Sequence, residues 1–168
     1  MDIPKDITAG VAEFEPYKPP LRALHKFSRN QSIICASELI EQAERPVIYA
    51  GGGVVQSNAC DELYQFAKLI DAPVALSSMA LGAFPVQDEH YLGLMGMHGT
   101  KLSSFAVSEC DLLIAVGARF SDRAIGSPKG FAKQARIIHI DIDPAEINKT
   151  VVVDHSIIGN AKEVLASL

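Results

Sequence analysis

The sequence predicts an α/β fold, a doubly wound parallel sheet (Rossmann-like, about six strands) flanked by helices. The predicted strands, such as residues 111–116, are continuous apolar runs, which indicates burial on both faces of a parallel sheet. Strand-like and helix-like runs alternate along the chain. Each clear strand ends in Gly, Ser or Asp, at the edge where such folds bind ligands.

The first thirty residues have no clean period and carry Pro4, Pro16, Pro19 and Pro20. We therefore predict that residues 1–30 are the end of a preceding domain and a linker, and that residues 31–168 form a nucleotide-binding domain. The opening residues 2–6 look like the tail of a strand, which predicts a fragment of a larger enzyme.

Helical and extended runs alternate from residue 31 onwards. Helices are predicted over residues 33–43, with Ser32 or Asn30 as cap, over residues 59–70, with Ser57 or Asn58 as cap, and around residues 102–106. A closing helix is predicted from Ala161, with Asn160 as cap, and a helical turn at residues 144–147. Strands are predicted at residues 46–50, 73–76, 111–116 and 137–141, with further extended pieces at 151–153 and 156–158, and a long loop is predicted across residues 82–99.

Composition excludes several classes of protein. Hydrophobic residues make up 48% of the chain, which is enough for a core, and the net charge of −5 argues against nucleic acid or an anionic membrane as partner. No apolar run is long enough to span a bilayer. The three cysteines are scattered, so we expect small apolar side chains in a reducing, cytoplasmic compartment rather than disulfides or a zinc site.

Two stretches are rich in glycine, and the first of them directly follows a predicted strand. Gly51–Gly53 lets a ligand approach the backbone, and the following helix start offers N–H groups to phosphate. Gln56 stands where a dinucleotide fingerprint needs glycine, so a plain tight turn is an equal alternative. Residues 93–100 are predicted to form a loop before a helix that begins near Thr100. His98, in this loop, either lies beside a cofactor or bonds to a backbone carbonyl.

Two further stretches carry charge at strand ends. Arg119 and Arg123 suit a pyrophosphate or another anion, and the alternative is a structural pair of Arg123 with Asp122 or of Arg119 with a carboxylate. Asp141 is expected to face a ribose, whereas Asp143 caps the turn at Pro144. The sequence has neither a Gly-x-Ser-x-Gly elbow nor a Walker loop, so we expect binding and predict no catalytic residue or metal ligand.

These stretches, taken in order, resemble a known family. Residues 2–6, 45–53, 94–100, 117–123 and 139–149 are similar to the central domain of the catalytic large subunit of acetolactate synthase, and the similarity covers essentially the whole chain. The resemblance implies an enzyme that condenses two 2-oxoacids, starting with decarboxylation of pyruvate, in branched-chain amino-acid biosynthesis. It implies thiamine diphosphate and magnesium in the full-length enzyme, and FAD in this domain without a net redox role.

The family's thiamine-binding parts lie in its first and third domains, so the resemblance implies that this domain is inactive alone. It also implies a homodimer of large subunits with a regulatory small subunit. The alternative is an ADP-binding or cofactor-free middle domain of another thiamine-diphosphate enzyme, acting as a structural or interaction module. Arg119 together with His98 favours FAD.

The resemblance also assigns residues to the cofactor. It implies that Gly51, Gly52, Gly53, Met97, His98, Gly99 and Thr100 line the FAD, that Gly117, Ala118, Arg119 and Asp122 contact its diphosphate-to-flavin part, and that Asp141 and Ile142 hold the adenosine end with Glu146, Gly159 and Asn160 nearby. Met97, Asp122 and Arg123 are implied to face the substrate channel. The sequence departs from the family at Ser121 and Asn160, where acids are common. It departs also in residues 14–19, which are shorter than the family's segment and supply no clear equivalent of its basic residue and Leu-Pro-Gly-Tyr stretch.

Overall fold

A six-stranded, all-parallel sheet forms the centre of the protein. The computed structural model describes residue 11, residues 29–126 and residues 130–168. The strands are β1 (Pro46–Ala50), β2 (Val74–Leu76), β3 (Tyr91–Leu94), β4 (Leu112–Val116), β5 (Arg136–Asp141) and β6 (His155–Ile158). Their order is β3-β2-β1-β4-β5-β6, so the chain changes direction across the sheet between β1 and β4. The predicted doubly wound α/β fold is confirmed.

Helices cover both faces of this sheet. They are α1 (Arg29–Glu41), α2 (Gly52–Gln56), α3 (Cys60–Leu69), α4 (Lys101–Glu109), α5 (Asp122–Ile125) and α6 (Ala161–Leu165), with a 3-10 turn at Ser78–Ala80. Because side chains alternate along a strand, Ile48 of β1 joins the core under α1, α2, α3 and α6, whereas Tyr49 joins the core under α4 and α5. Both faces of β1 and β4 are therefore buried, as the continuous apolar runs predict.

Side-chain hydrogen bonds fix the connections at the amino ends of the strands. The carboxylate of Asp111, just before β4, accepts the backbone N–H groups of Glu44 and Arg45 at 2.7 and 2.9 Å. Directly before β3, the buried ring of His90 lies between two carboxylates. Its Nδ1 is 2.8 Å from Asp88 Oδ1 and its Nε2 is 2.8 Å from Asp71 Oδ1.

The prediction of one long loop over residues 82–99 is wrong, because β3 lies within it. Gly93 and Leu94 belong to this strand rather than to a loop. Gly93 has φ +88°, and the register between β2 and β3 shifts at this point. The glycine breaks the apolar pattern of a short edge strand, which is why periodicity does not reveal it.

The four residues predicted as caps of the first two helices do not cap them. Asn30 and Ser32 lie inside α1, which begins at Arg29. The segment after β1 is already helical from Gly52, and Ser57 ends this short helix by donating its hydroxyl to Gly53 O at 2.7 Å. Asn58, with φ +54°, lies in the break before α3 and does not cap it.

The last part of the chain agrees with prediction in part. Residues 144–148 form a turn rather than a helix, and residues 151–153 are not a strand. Asn160 caps α6, since its side chain accepts the Lys162 N–H at 3.0 Å. The predicted linker lies almost wholly in residues 1–10 and 12–28, outside the described residues.

Candidate functional site

A cleft of about 760 Å³ opens at the carboxyl edge of the sheet, where the chain changes direction between β1 and β4. Ligands of parallel α/β proteins bind at this position, and the volume lies within the usual range for small-molecule sites. The cleft is lined by ends of strands and the segments that follow them. The lining residues are Tyr49, Gly52, Gly53, Gln56, Ser57, Ser77, Ser78, Met79, Leu94, Met95, Met97, His98, Gly117, Arg119, Ser121, Arg123, Ala124, Ile140, Asp141, Ile142, Asp143, Gly159, Asn160 and Ala161.

The floor of the cleft is a seam where two backbone segments touch without side chains between them. A Cβ on Gly51 would lie 2.2 Å from Gly117 O, and one on Gly53 would lie 2.6 Å from Gly117 Cα. Gly117 itself has φ +55°, which favours glycine. The glycines after β1 and β4 thus allow the two strand exits to pack directly on each other.

In this packing, backbone N–H groups that the sequence analysis offers to a phosphate are already bonded to backbone carbonyls. The Gly51 N–H donates to Val116 O, the Gly53 N–H donates to Gly117 O, and the Val54 N–H donates to Gly51 O. Gly52 and Gly53 line the cleft, whereas Gly51 does not. The tight-turn alternative therefore describes Gly51 better than ligand contact does.

The segment after β4 brings positive charge to the cleft. Arg119 and Arg123 both line it. The Arg119 side chain is 76% exposed, and its Nε lies 3.8 Å from Glu146 Oε1. This distance is too long for a hydrogen bond, and the same Glu146 oxygen lies 2.8 Å from Lys149 Nζ, so the guanidinium remains available to an anion. The Asp122 carboxylate accepts the backbone N–H of Arg123 at 2.9 Å, which is a backbone contact and not a pair of side chains.

The loop after β3 forms a second wall, with Met97 and His98 facing the cleft. The Met97 N–H donates to Arg123 O at 2.9 Å, which ties this loop to the segment after β4. Gly96 makes that approach possible, because a Cβ there would lie 2.5 Å from Arg123 O. Two of the three predicted substrate-channel residues, Met97 and Arg123, are thus neighbours in the cleft.

Negative charge comes from the end of β5. Asp141 and Ile142 line the cleft, together with Asp143. Asp141 Oδ1 accepts the Asp143 N–H, and Asp143 Oδ1 accepts the Ala145 N–H, both at 2.8 Å. The predicted cap at Asp143 is confirmed. Gly159 and Asn160, after β6, line the cleft beside these carboxylates.

Like Gly51, five more of the predicted cofactor residues are not among those that line the cleft, and they contact other parts of the domain instead. Thr100 is the N-cap of α4, since its side chain accepts the Ser103 N–H at 3.0 Å. A Cβ on Gly99 would lie 2.4 Å from Leu94 O. The others are Ala118, which is buried, Asp122, which is bonded to its own helix start, and Glu146, whose carboxylate contacts Lys149 at 2.8 Å.

Sequence reasoning missed residues that follow β2 and lie in α2. Ser77, Ser78 and Met79 follow β2 directly, and Gln56 and Ser57 come from the end of α2. The serines had a usable signal, because they stand at the carboxyl end of a predicted strand. Gln56 and Ser57 had none, since the helix that presents them begins within the glycine run.

Among the described residues, no group of three or more His, Cys, Asp or Glu side chains is arranged to hold a metal ion. Over the same residues, no helix is long and apolar enough to cross a membrane. Cys35, Cys60 and Cys110 are free thiols. Burial raises the pKa of Cys110 to about 12, which makes that thiol a poor nucleophile.

Fold and cleft together define a doubly wound α/β domain with a cleft at the carboxyl edge of its sheet, and comparison with known proteins gives its family. The chain belongs to the family described as thiamine pyrophosphate enzyme, central domain, whose model matches residues 33–168. The chain is 46% identical to the probable acetolactate synthase large subunit of Methanocaldococcus jannaschii, and this alignment covers all of the chain and 29% of that relative. It is 45% identical to the acetolactate synthase large subunit of Corynebacterium glutamicum, over all of the chain and 27% of that relative.

The chain is also 40% identical to the acetolactate synthase large subunit of Porphyra purpurea, over all of the chain and 29% of that relative. The resemblance inferred from sequence motifs is confirmed. The chain spans less than a third of the length of these relatives.

Proposed function

We propose that this chain is the FAD-binding central domain of an acetolactate synthase large subunit. The observation that carries the proposal is the cleft between the ends of β1 and β4, whose lining includes Arg119, Arg123 and Asp141. Guanidinium groups bind the oxygens of a diphosphate, and a carboxylate at a strand end accepts ribose hydroxyls. One cleft thus offers both groups that an adenine dinucleotide needs.

The residues present fit FAD by chemistry. Arg119 and Arg123 would bind the diphosphate, and Asp141 with Ile142 would hold the adenosine end. The exposed side chains of Met97 and His98 would face the flavin part. FAD would serve here as a structural cofactor, so this domain's own residues bind and orient it and exclude water from it.

The activity belongs to the complete protein in this proposal. The relatives named acetolactate synthase lead us to infer condensation of two 2-oxoacids, beginning with decarboxylation of pyruvate, in branched-chain amino-acid biosynthesis. Thiamine diphosphate and magnesium would be held outside residues 31–168. We infer a cytoplasmic homodimer of large subunits that binds a regulatory small subunit, and we expect the 168-residue chain to be inactive alone.

Flavin fluorescence tests the cofactor assignment. FAD titrated into the chain should be quenched on binding, and ADP should displace it only partly, since ADP lacks the flavin end. Arg119→Ala should weaken FAD binding by about 1.5–3 kcal/mol, the scale of a lost hydrogen bond to a charged group. Arg45→Ala is the matched control, because Arg45 lies at the opposite edge of the sheet beside Asp111.

Three results would contradict the proposal. Binding of ADP with no quenching of FAD would indicate the ADP-binding alternative. No binding of either nucleotide would indicate a structural or interaction module. Equal losses of affinity in the Arg119 and Arg45 variants would show that general charge, and not this cleft, attracts the ligand.

A further inference from the structure

A buried histidine lies behind the segment that carries Arg119. His139 stands in the middle of β5 and is 1% exposed. In register it faces Ala115 of β4 and Ser156 of β6. It does not line the cleft, and none of the roles described so far uses it.

His139 contacts the residues on both sides of Arg119. Its Nε2 lies 3.0 Å from Ala118 O, and its ring packs edge-on against Phe120 with centroids 5.0 Å apart. Phe120 is buried in turn against Tyr49, with centroids 6.2 Å apart. Ala118 and Phe120 are held inward, whereas Arg119 between them is exposed at the cleft.

The chemistry of the contact sets the protonation state of the ring. Burial lowers the pKa of His139, although the nearby Asp141 carboxylate, the Ala118 carbonyl and Glu146 act in the opposite direction. The neutral ring has one N–H, and a carbonyl only accepts, so Nε2 carries the proton and donates it to Ala118 O. The Asp141 Oδ2 atom is 3.9 Å from the same nitrogen, too far for a hydrogen bond.

We propose that His139 is a positioning residue that directs Arg119 into the cleft, by holding the Ala118 carbonyl through its Nε2–H and the Phe120 ring by packing. The Arg119 Nε lies 3.8 Å from Glu146 Oε1, too far for a hydrogen bond, so the direction of the exposed Arg119 side chain depends mainly on its backbone. The inference rests on the proposed function in one respect, namely that the ligand which Arg119 meets is the FAD diphosphate.

Two substitutions separate the hydrogen bond from packing. His139→Met keeps an apolar side chain of similar length without a donor, and His139→Gln carries an amide N–H near the position of Nε2. FAD affinity should fall about tenfold in H139M, equivalent to about 1.4 kcal/mol, and return to within about threefold of wild type in H139Q. Ile138→Val, on the other face of β5, is the control for loss of packing and should leave FAD affinity unchanged.

A double-mutant cycle tests whether His139 acts through Arg119. In an Arg119→Ala background, H139M should cause no further loss of FAD affinity, because the residue it positions is gone. Additive losses would overturn the proposal, since they would show that His139 affects the ligand independently of Arg119. Unchanged FAD affinity in H139M alone would overturn it as well.

A measurement without ligand keeps this inference separable from the proposed function. ¹⁵N NMR of the wild-type ring should show the neutral tautomer with the proton on Nε2 at pH 7. Backbone amide shifts of residues 118–120 should move in H139M and be restored in H139Q. Failure of wild type to bind FAD would contradict the cofactor assignment, whereas the wrong tautomer in wild type, or amide shifts that Gln does not restore, would contradict the role of His139. Because the tautomer is measured in wild type, it tests the proposed role of His139 even if H139M does not fold.

Discussion

At the turn after β1, a single added carbon atom would collide with the backbone of the neighbouring strand exit. Gly51→Ala would place its Cβ 2.2 Å from Gly117 O, and this carbonyl, directly after β4, is held by the hydrogen bond from the Gly53 N–H. We expect the free energy of unfolding to fall by about 1–3 kcal/mol or more, the range for overpacking a buried position. Urea denaturation followed by circular dichroism measures the change.

Gly130→Ala is the matched control, because a Cβ at Gly130 has no atom within 4 Å among the described residues. Its midpoint in urea should equal that of wild type or lie slightly higher, since alanine restricts the unfolded chain. If the Gly51→Ala protein were as stable as the Gly130→Ala protein, the direct backbone contact between Gly51 and Gly117 would be contradicted.

His90 should make stability depend on pH. Hydrogen bonds to Asp71 and Asp88 raise its pKa, with burial and Lys68 opposing, while hydrogen bonds from His90 lower the pKa of Asp88 to about 2. A raised folded pKa means that the stabilising contribution is complete below the unfolded value of about 6.5 and is lost as pH rises through the folded value. Urea midpoints between pH 6 and 9 should therefore fall in wild type, and His90→Gln should flatten that fall.

The comparison protein is His98→Gln, because His98 is exposed to solvent in the cleft. Its profile from pH 6 to 9 should run parallel to that of wild type. If the stability profile of His90→Gln also ran parallel to that of wild type, Asp71 and Asp88 would not stabilise the protonated His90 ring in the folded protein.

Single residues also show how much of the candidate site can be predicted from the sequence. Residue type at a strand end predicts Arg119 and Asp141 in the cleft, because topology alone places those ends together. It fails for Gly51, which does not line the cleft and whose contacts are with Gly117. Whether a glycine approaches a ligand or another backbone depends on its partner segment, which is distant in sequence.

At the scale of the element, α4 depends on its first residue. Thr100 accepts the Ser103 N–H and donates its own hydroxyl to Leu92 O at 2.6 Å, so one side chain joins the helix start to β3. Thr100→Ala should cost about 1–2 kcal/mol of unfolding free energy, as for other strong N-caps. Thermal and urea denaturation measure the loss.

Ser108→Ala, in the same helix, is the control. Its hydroxyl is exposed and donates to Ser104 O within the helix, so stability should change by less than about 0.5 kcal/mol. Similar losses for the two variants would show that the Thr100 contacts add nothing beyond those of any hydroxyl in α4.

Helices and strands can be predicted from the sequence where burial requires a clear pattern of apolar residues. The strands at 46–50, 112–116 and 136–141 agree with prediction to within one residue, because burial on both faces leaves a continuous apolar run. β3 was missed because Gly93 interrupts it, and the start of α2 was missed because Gly52 and Gly53 are poor helix formers. The helix at 101–109 was found, although Leu102 and Phe105, which indicated it, are exposed.

At the scale of the whole molecule, a ligand that binds the folded state alone must stabilise it. FAD at about one hundred times its dissociation constant should add about 2.7 kcal/mol and raise the melting temperature by several degrees. Calorimetry with FAD and with riboflavin at equal concentration measures this, and riboflavin should have the smaller effect because it lacks the diphosphate and adenosine parts. An equal effect of the two compounds would contradict a role for Arg119 and Asp141 in binding.

The contact between Gly51, Gly53 and Gly117 limits how this protein can vary. When two side chains touch, a larger one on one side is accommodated by a smaller one on the other, so a sequence can change in paired steps. Here the opposing surface is peptide backbone, and no substitution makes a carbonyl group smaller. A protein engineer who wants a side chain at this junction has to move whole strands apart.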